Sequence, residues 1–352
     1  MSIRVAVIGA GVMGTDHARI LAAKVRGATL QVVCDTQTDR ARRVADAFGA
    51  TDISTHAVTT ITRQDVDAVL IASPDDTHAP LTIAAIEAGK PVLCEKPLAP
   101  SSASCLAVIQ TEVNAGRRFV QTGFMRRFDP SYVEMKAALA EGALGEAVMM
   151  HNFHRNVEAP EWFTGEMAIS NSAPHEFDIA RYVLGTEYHS ISVFQGTCGT
   201  TAARSAAPVF MVLETTGGPL VNVEVNNNAA YGYDIRGELV GEHGSVLLNT
   251  PVHAVYNTSL KSVERYASDW RPRFADAYRL QNKAWLDSIE TGKPASAAAN
   301  AWDGYCATAV AEAGVKSLAA RSRIGVDMVD MPAIYRLSAQ TRAARQAMGE
   351  KA

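Results

Sequence analysis

The chain has no long run of one charge, no metal-type cysteine spacing, no apolar stretch long enough for a membrane and no internal repeat. Each absence removes a class of function. Lys and Arg number 33 against 37 Asp and Glu, and the basic residues fall in scattered pairs such as Arg42-Arg43 and Arg117-Arg118. At a formal charge of −4, neither nucleic acid nor an anionic membrane surface is expected as a partner. No apolar run approaches the ~18 residues that a membrane span needs. The cysteines, Cys34, Cys94, Cys105, Cys198 and Cys306, are odd in number and lack ligand spacing, so no metal is expected. Cys34 and Cys94 sit in apolar runs and read as small core residues. The first residues enter a strand pattern at once, without a charged and then apolar leader, which points to a reduced, cytoplasmic protein.

What remains is ordinary globular composition, 47% hydrophobic and 20% charged, in a chain whose 352 residues suit two domains better than one. Residues 3–8, 30–34, 66–72, 91–94 and 119–122 are short apolar runs that read as strands. Helical patterns at 15–25, up to 48, 82–88 and 101–115 lie between them. Strands alternating with helices imply βαβ units and a parallel sheet. After residue 122 the pattern changes. Strand-like segments at 147–156, 190–196, 208–215, 220–227, 235–241 and 245–248 follow one another, joined by turns such as Thr216-Gly217-Gly218. Helices are expected at 131–141, 174–184, 276–290 and 302–319, with 295–301 as a loop. The predicted architecture is an α/β nucleotide-binding domain over 1–122. An α+β domain over 123–352, with one large, mostly antiparallel open-faced sheet, completes it.

The first strand ends in Gly9-Ala10-Gly11-Val12-Met13-Gly14, a GxGxxG pattern that opens a helix. Gly9 permits the tight turn, Gly11 lets the backbone approach a pyrophosphate, and Gly14 lets helix and strand pack closely. Asp35 ends the second strand, 21 residues after Gly14, where a carboxylate accepts hydrogen bonds from the adenosine ribose hydroxyls. It repels a 2′-phosphate, and Thr36, Gln37 and Thr38 follow without an arginine, so NAD is favoured over NADP. Ser73-Pro74 and Glu95-Lys96 follow two further strand ends, the side on which a doubly wound sheet binds its ligand. Lys96 there can bind a hydroxyl or alkoxide oxygen and lower its pKa, with Glu95 holding it and Pro97 fixing the turn, through a cis peptide if one is present.

This arrangement resembles the Gfo/Idh/MocA family, the glucose-fructose oxidoreductases and inositol dehydrogenases. The resemblance runs through Gly9 to Gly14, Asp35 and "SPDDTHAPLTIAAIEAGKPVLCEKPLA", and continues over most of the chain. It implies a Rossmann domain and a catalytic lysine at Lys96, with Ser73, Pro74, Thr77 and His78 bordering NAD. The second half is most similar to inositol 2-dehydrogenases, through "GFMRRFDPSY", "HNFHRN", "HEFDIARYVLG", "YGYDIRGELVGEHGSV", "FADAY" and "AWDGYCATAVAEAGVKSL". On a strand over 147–156, His154 and Asn156 share a face and His151 points away, which argues against a His-x-x-His metal pair. His154 and Asn156 then form a polar rim suited to a polyhydroxylated ring. The resemblance implies that His175 is the general base paired with Lys96, a role that suits an imidazole near neutral pH. Arg126, Tyr233 and Arg236 are further candidate ring binders, Arg126 alternatively facing the cofactor.

Two departures bear on the substrate. Inositol dehydrogenases place an aspartate four residues before that histidine, whereas this chain has Asn171, which can orient the ring or bind a hydroxyl but brings no charge. Gln281 stands where the family pattern has glutamate. The expected activity is NAD-dependent oxidation of a secondary hydroxyl of an inositol, related cyclitol or sugar. Two alternatives stay open: an NAD-retaining glycosidase- or epimerase-like cycle, and a ligand sensor without turnover. A homo-oligomer, dimer or tetramer, is expected to cover the open sheet face.

Overall fold

The computed structural model describes residues 2–196, 207–249 and 255–336, so Cys198 and the chain after residue 336 lie outside the described residues. The chain divides into two compact units. The first comprises Met1–Phe128, Asp276–Thr308 and Val329–Arg336, and the second Asp129–Ala275 with Ala309–Met328.

In the first unit, β1 (Ile3–Ile8), α1 (Val12–Ala23), β2 (Ala28–Cys34), α2 (Thr38–Phe48), β3 (Asp52–Ser54) and α3 (Ala57–Ile61) are followed by β4 (Ala68–Ile71), α4 (Asp75–Glu87), β5 (Val92–Cys94), α5 (Ser102–Ala115) and β6 (Val120–Thr122). The six strands form a parallel sheet in the order β3-β2-β1-β4-β5-β6. Every side chain of β4 and β5 is buried. This is the signature of strands covered on both faces, and it explains why they read as unbroken apolar runs. Cys34, Cys94, Cys105 and Cys306 are buried free thiols. The short pieces β3 and α3 carry too little apolar periodicity to stand out in the sequence. The order of strands reverses between β1 and β4, and a crevice outside their carboxyl ends is where this fold binds ligands.

The second unit begins with α6 (Pro130–Ala140), β7 (Ala147–Arg155), α7 (Gly165–Met167), α8 (Pro174–Leu184), β8 (Tyr188–Gln195), β9 (Val209–Thr215), β10 (Leu220–Asn226), β11 (Asp234–Gly241) and β12 (Ser245–Leu247). The hairpin β13 (Tyr256–Thr258) and β14 (Lys261–Val263), α9 (Trp270–Arg273) and β15 (Ile324–Gly325) also belong to it, whereas α10 (Ala275–Thr291) falls in the first unit from Asp276 and α11 (Ala301–Ala320) passes from the first unit to the second after Thr308. Seven strands pair in the order β12-β11-β7-β10-β9-β8-β15, all antiparallel except β7 with β10. Each long strand alternates. Met150, Asn152 and His154 of β7 are buried, as are Val221, Val223 and Val225 of β10. The intervening residues form a second face on which Phe194, Phe210 and Leu220 are exposed. Helix α8 starts with Pro174 at its first turn and stops at Gly185 in the left-handed region (φ +65°), whose N–H bonds the Arg181 carbonyl.

The division at residue 122 needs correction. Residues 276–308 and 329–336 return to the first unit. There the Thr122 N–H bonds the Ala299 carbonyl at 2.9 Å, Arg127 pairs with Asp303 at 3.1 Å, and Tyr335 donates to the buried Glu112 carboxylate. Composition changes character at 122, but these returning segments lie far along the chain. Only packing reveals where they belong.

Candidate active site

At the carboxyl end of β1 the chain turns through Gly9, whose φ is +94° and whose added Cβ would lie 2.4 Å from the Ala72 carbonyl oxygen. A Cβ on Gly14 would fall 1.8 Å from the Gly9 carbonyl oxygen, so α1 and β1 meet backbone to backbone. Gly11 differs. A Cβ there would touch nothing within 4 Å, which leaves an open cradle at the amino end of α1, beside the exposed Val12 and half-exposed Met13. No acidic residue occupies that first turn, so its free N–H groups and the helix dipole favour an anion. The buried Asp35 carboxylate accepts the Ala10 and Gln37 N–H groups, each at 2.9 Å, and retains lone pairs for ribose hydroxyls. These residues fit NAD: Gly9 to Gly14 would hold the pyrophosphate and Asp35 the adenosine ribose. The sequence reading missed Arg40. The first turn of α2 brings its guanidinium to 3.5 Å from Asp35, although no arginine directly follows the acid.

The loops after β4 and β5 lie on the same side of the sheet. Ser73 Oγ is 2.5 Å from Thr77 Oγ1, which donates to the Pro74 carbonyl at 2.7 Å. His78 is expected at the border of the cofactor, but its ring is buried and both nitrogens face backbone: Nδ1 lies 2.6 Å from the Pro97 oxygen and Nε2 2.9 Å from the Ser73 oxygen. Neither nitrogen is left to meet a ligand. The Lys96–Pro97 peptide is cis. Glu95 is buried; one carboxylate oxygen lies 2.8 Å from His17 Nε2 and the other accepts the Lys96 N–H at 3.2 Å. Glu95 therefore fixes the lysine through its backbone. Burial of the Lys96 amine lowers its pKa below the usual lysine range, against the Glu95 and Asp75 carboxylates that raise it, and the Arg126 guanidinium lowers it further. Arg126, buried in the turn Met125–Phe128, thus belongs with Lys96 in the first unit.

In the second unit a cleft of about 400 Å³ is lined by Asn156, Phe163, Asn171, Asn227, Tyr233 and Trp270, among others. Asn171 lies on the wide turn Ala168–Ser172, where the Ala173 N–H reaches the Ala168 carbonyl five residues back, and it is exposed to the cleft. Such π-type turns recur at functional sites. His175 follows in the first turn of α8 and is buried, as is its neighbour Glu176. Glu176 Oε1 lies 2.8 Å from Nδ1 of His154, and His154 Nε2 lies 3.4 Å from the Asn156 amide nitrogen. Asn156 in turn donates to Asn227 Oδ1, which also accepts the Ser172 hydroxyl at 3.3 Å. The shared face of His154 and Asn156 is as expected, and Tyr233 stands edge-on to the His154 ring at 6.2 Å. Asn156 lines the cleft while His154 backs it.

Arg236 is a correction. It pairs with Phe153 across the strands, while Ile235 pairs with His154, so Arg236 lies on the opposite sheet face. There its guanidinium meets Asp234 at 2.8 Å and donates to the Tyr266 hydroxyl at 3.2 Å. His151 shares that face, with Nδ1 at 2.5 Å from Asn222 Oδ1, so the two histidines of His-x-x-His serve separate faces. Among the described residues, no group of three or more His, Cys, Asp and Glu could hold a metal ion. Gln281 is fully buried in the first unit, and its amide finds no hydrogen-bond partner among the described residues. Glu176, Asn227, His17 and Arg40 were the residues missed. Only Glu176 carried a signal, as the immediate neighbour of His175.

The glycine cradle, the buried acid after β2 and the lysine after β5 fit an NAD-dependent oxidoreductase of the Rossmann class. Residues 3–124 match the family model described as an oxidoreductase family with an NAD-binding Rossmann fold, and residues 132–247 match the GFO/IDH/MocA C-terminal domain. The chain belongs to the GFO/IDH/MocA family. It is 47% identical over 338 residues to inositol 2-dehydrogenase 1 of Saccharopolyspora erythraea, covering 95% of this chain and 99% of that one. Identity to the inositol 2-dehydrogenase of Streptomyces avermitilis is 39%, over 94% and 96% of the two chains. The myo-inositol dehydrogenase of Lactobacillus casei, solved with NAD(H) and myo-inositol, superposes with a TM-score of 0.90 at 26% identity, over 96% of this chain and 100% of that one. No helix among the described residues is long and apolar enough to cross a membrane.

Proposed function

We propose that this protein oxidises a secondary ring hydroxyl of myo-inositol, or of a related cyclitol or sugar, to the ketone. Bound NAD supplies the hydride acceptor. The Lys96 ammonium donates a hydrogen bond to the reacting oxygen and stabilises the negative charge that grows on it. His175 takes the hydroxyl proton. Asn156, Asn171 and Tyr233 hold the ring's other hydroxyls, with His154 orienting Asn156. The observation that carries this reading is Lys96 itself: a desolvated amine, fixed through its backbone by Glu95, on the ligand side of the sheet.

The relatives named as inositol 2-dehydrogenases support an inositol over other polyols. Asn171 leaves the stereochemical preference to experiment, because an amide both donates and accepts where a carboxylate only accepts. The test is NADH absorbance over a panel of inositol isomers and aldoses, with NADP run in parallel. Turnover of at least one cyclitol with NAD is expected. Inactivity across the panel would overturn the proposal, and consumption of a substrate with no net NADH would replace it with an NAD-retaining cycle. A sensor is disfavoured because binding alone needs no amine of this kind; loss of turnover in Lys96→Ala with ligand affinity kept separates the two.

The second unit would bind the substrate and assemble the oligomer through the sheet face that carries Phe194, Phe210 and Leu220. A cytoplasmic setting is supported by the four described cysteines, all buried and free. Light scattering of the purified protein reads the assembly: a dimer or tetramer is expected, and a monomer at micromolar concentration would refute it.

A further inference from the structure

The family resemblance implies a place for His78 at the border of the cofactor, and the structure gives both of its ring nitrogens to backbone carbonyl oxygens, Pro97 at 2.6 Å and Ser73 at 2.9 Å. A carbonyl oxygen only accepts hydrogen bonds, and a neutral imidazole has a single N–H. A neutral ring would therefore aim one nitrogen lone pair at an oxygen lone pair in a buried place, at either contact. Only the imidazolium, with two N–H groups, satisfies both. The two carbonyls belong to different loops, one following β4 and one following β5, and the second is in the residue next to Lys96. We propose that His78 is a positively charged clamp that joins these loops and positions Lys96 for the reaction.

The groups facing the ring support its charge. Burial works against it, but the neighbouring Cys94 sulfur, the Pro97 carbonyl and the Asp75 carboxylate together raise its pKa to about 10. With Glu95 holding the Lys96 N–H from one side and His78 holding the Pro97 carbonyl from the other, the backbone of the lysine turn is gripped at both ends. A polar clamp of this kind is the device by which a reacting group is kept within a fraction of an ångström of its working position. The positioning role rests on Lys96 being the polarising group, as proposed above. The charge of the ring does not.

Two measurements test the clamp separately. Nitrogen-15 NMR of the imidazole in the wild-type protein at pH 7.5 is expected to show two N–H-type nitrogens for His78; one lone-pair nitrogen would overturn the proposal whatever the variants do. His78→Gln, which retains a single amide donor group and no charge, is expected to lower kcat about tenfold or more while NAD affinity, read by quenching of protein fluorescence, stays within about twofold. A folded His78→Gln with unchanged kcat, or one that loses NAD affinity in step with kcat, would refute positioning. Undiminished turnover by Lys96→Met would remove the positioning role together with the proposed chemistry, while the NMR result would still report the ring's charge.

Discussion

The Glu95 carboxylate lies 2.8 Å from His17 Nε2, and both side chains are buried. The other ring nitrogen of His17 lies 3.0 Å from the Asn282 amide nitrogen. An amide that donates to Nδ1 places the ring proton on Nε2, which then donates to Glu95. Glu95 is thus held on one side by a histidine from α1 and itself holds the Lys96 backbone on the other. In His17→Ala the carboxylate stays buried without this partner, and a loss of about 3 kcal/mol in unfolding free energy is expected by urea titration.

Lys96→Met is expected to reduce kcat/KM about a thousandfold and to leave NAD affinity intact. It should also stabilise the protein. The folded pKa of Lys96 lies below the 10.5 of a free lysine, so the native state holds this proton less tightly than the unfolded chain does. That costs stability wherever the amine is charged in both states. The cost fades as pH rises through the folded value towards 10.5. Melting without NAD should therefore show a higher Tm for Lys96→Met at pH 7, with the wild type closing the gap in alkali.

His78 has the opposite sign. Its folded pKa of about 10 stands above the ordinary 6.5, so its stabilising contribution is full below pH 6.5 and is lost as pH rises through about 10. His78→Gln is expected to flatten the decline of wild-type stability across that interval. Parallel declines in the two proteins would show that other groups cause it.

The glycines of the cradle separate folding from binding. Gly14→Ala drives a methyl into the Gly9 carbonyl and is expected to destabilise the protein by several kcal/mol, on the order of the larger overpacking effects. Gly11→Ala meets no protein atom within 4 Å, so its Tm without NAD should match the wild type while NAD affinity falls about tenfold or more. Calorimetry with and without NAD reads both.

Glu176 is fully buried against His154, and Glu176→Ala removes one partner of the pair. A loss of about 3–5 kcal/mol in stability is expected for breaking such a pair. Glu176→Gln retains an acceptor for the His154 N–H and should remain folded. A raised KM for the cyclitol with unchanged NAD affinity would then report Asn156 losing its orientation.

The sequence by itself determined the parallel sheet, the glycine turn, the acid at the end of β2 and the lysine after β5, because each is written in neighbouring residues. An apolar run, a GxGxxG pattern and the next strand's last residue need no knowledge of what packs against them. Alternation along β7 also placed His154 with Asn156 and turned His151 away, since the pleat has a period of two. The same rule could not reach Arg236, whose face depends on the register between β11 and β7. Tertiary structure alone decided that register, the return of residues 276–308 to the first unit, the approach of Arg40 to Asp35, and the two carbonyls that enclose His78. These are contacts between residues distant in the chain or across a turn of helix. They are set by close packing and by the need of buried polar groups for partners, neither of which leaves a local mark.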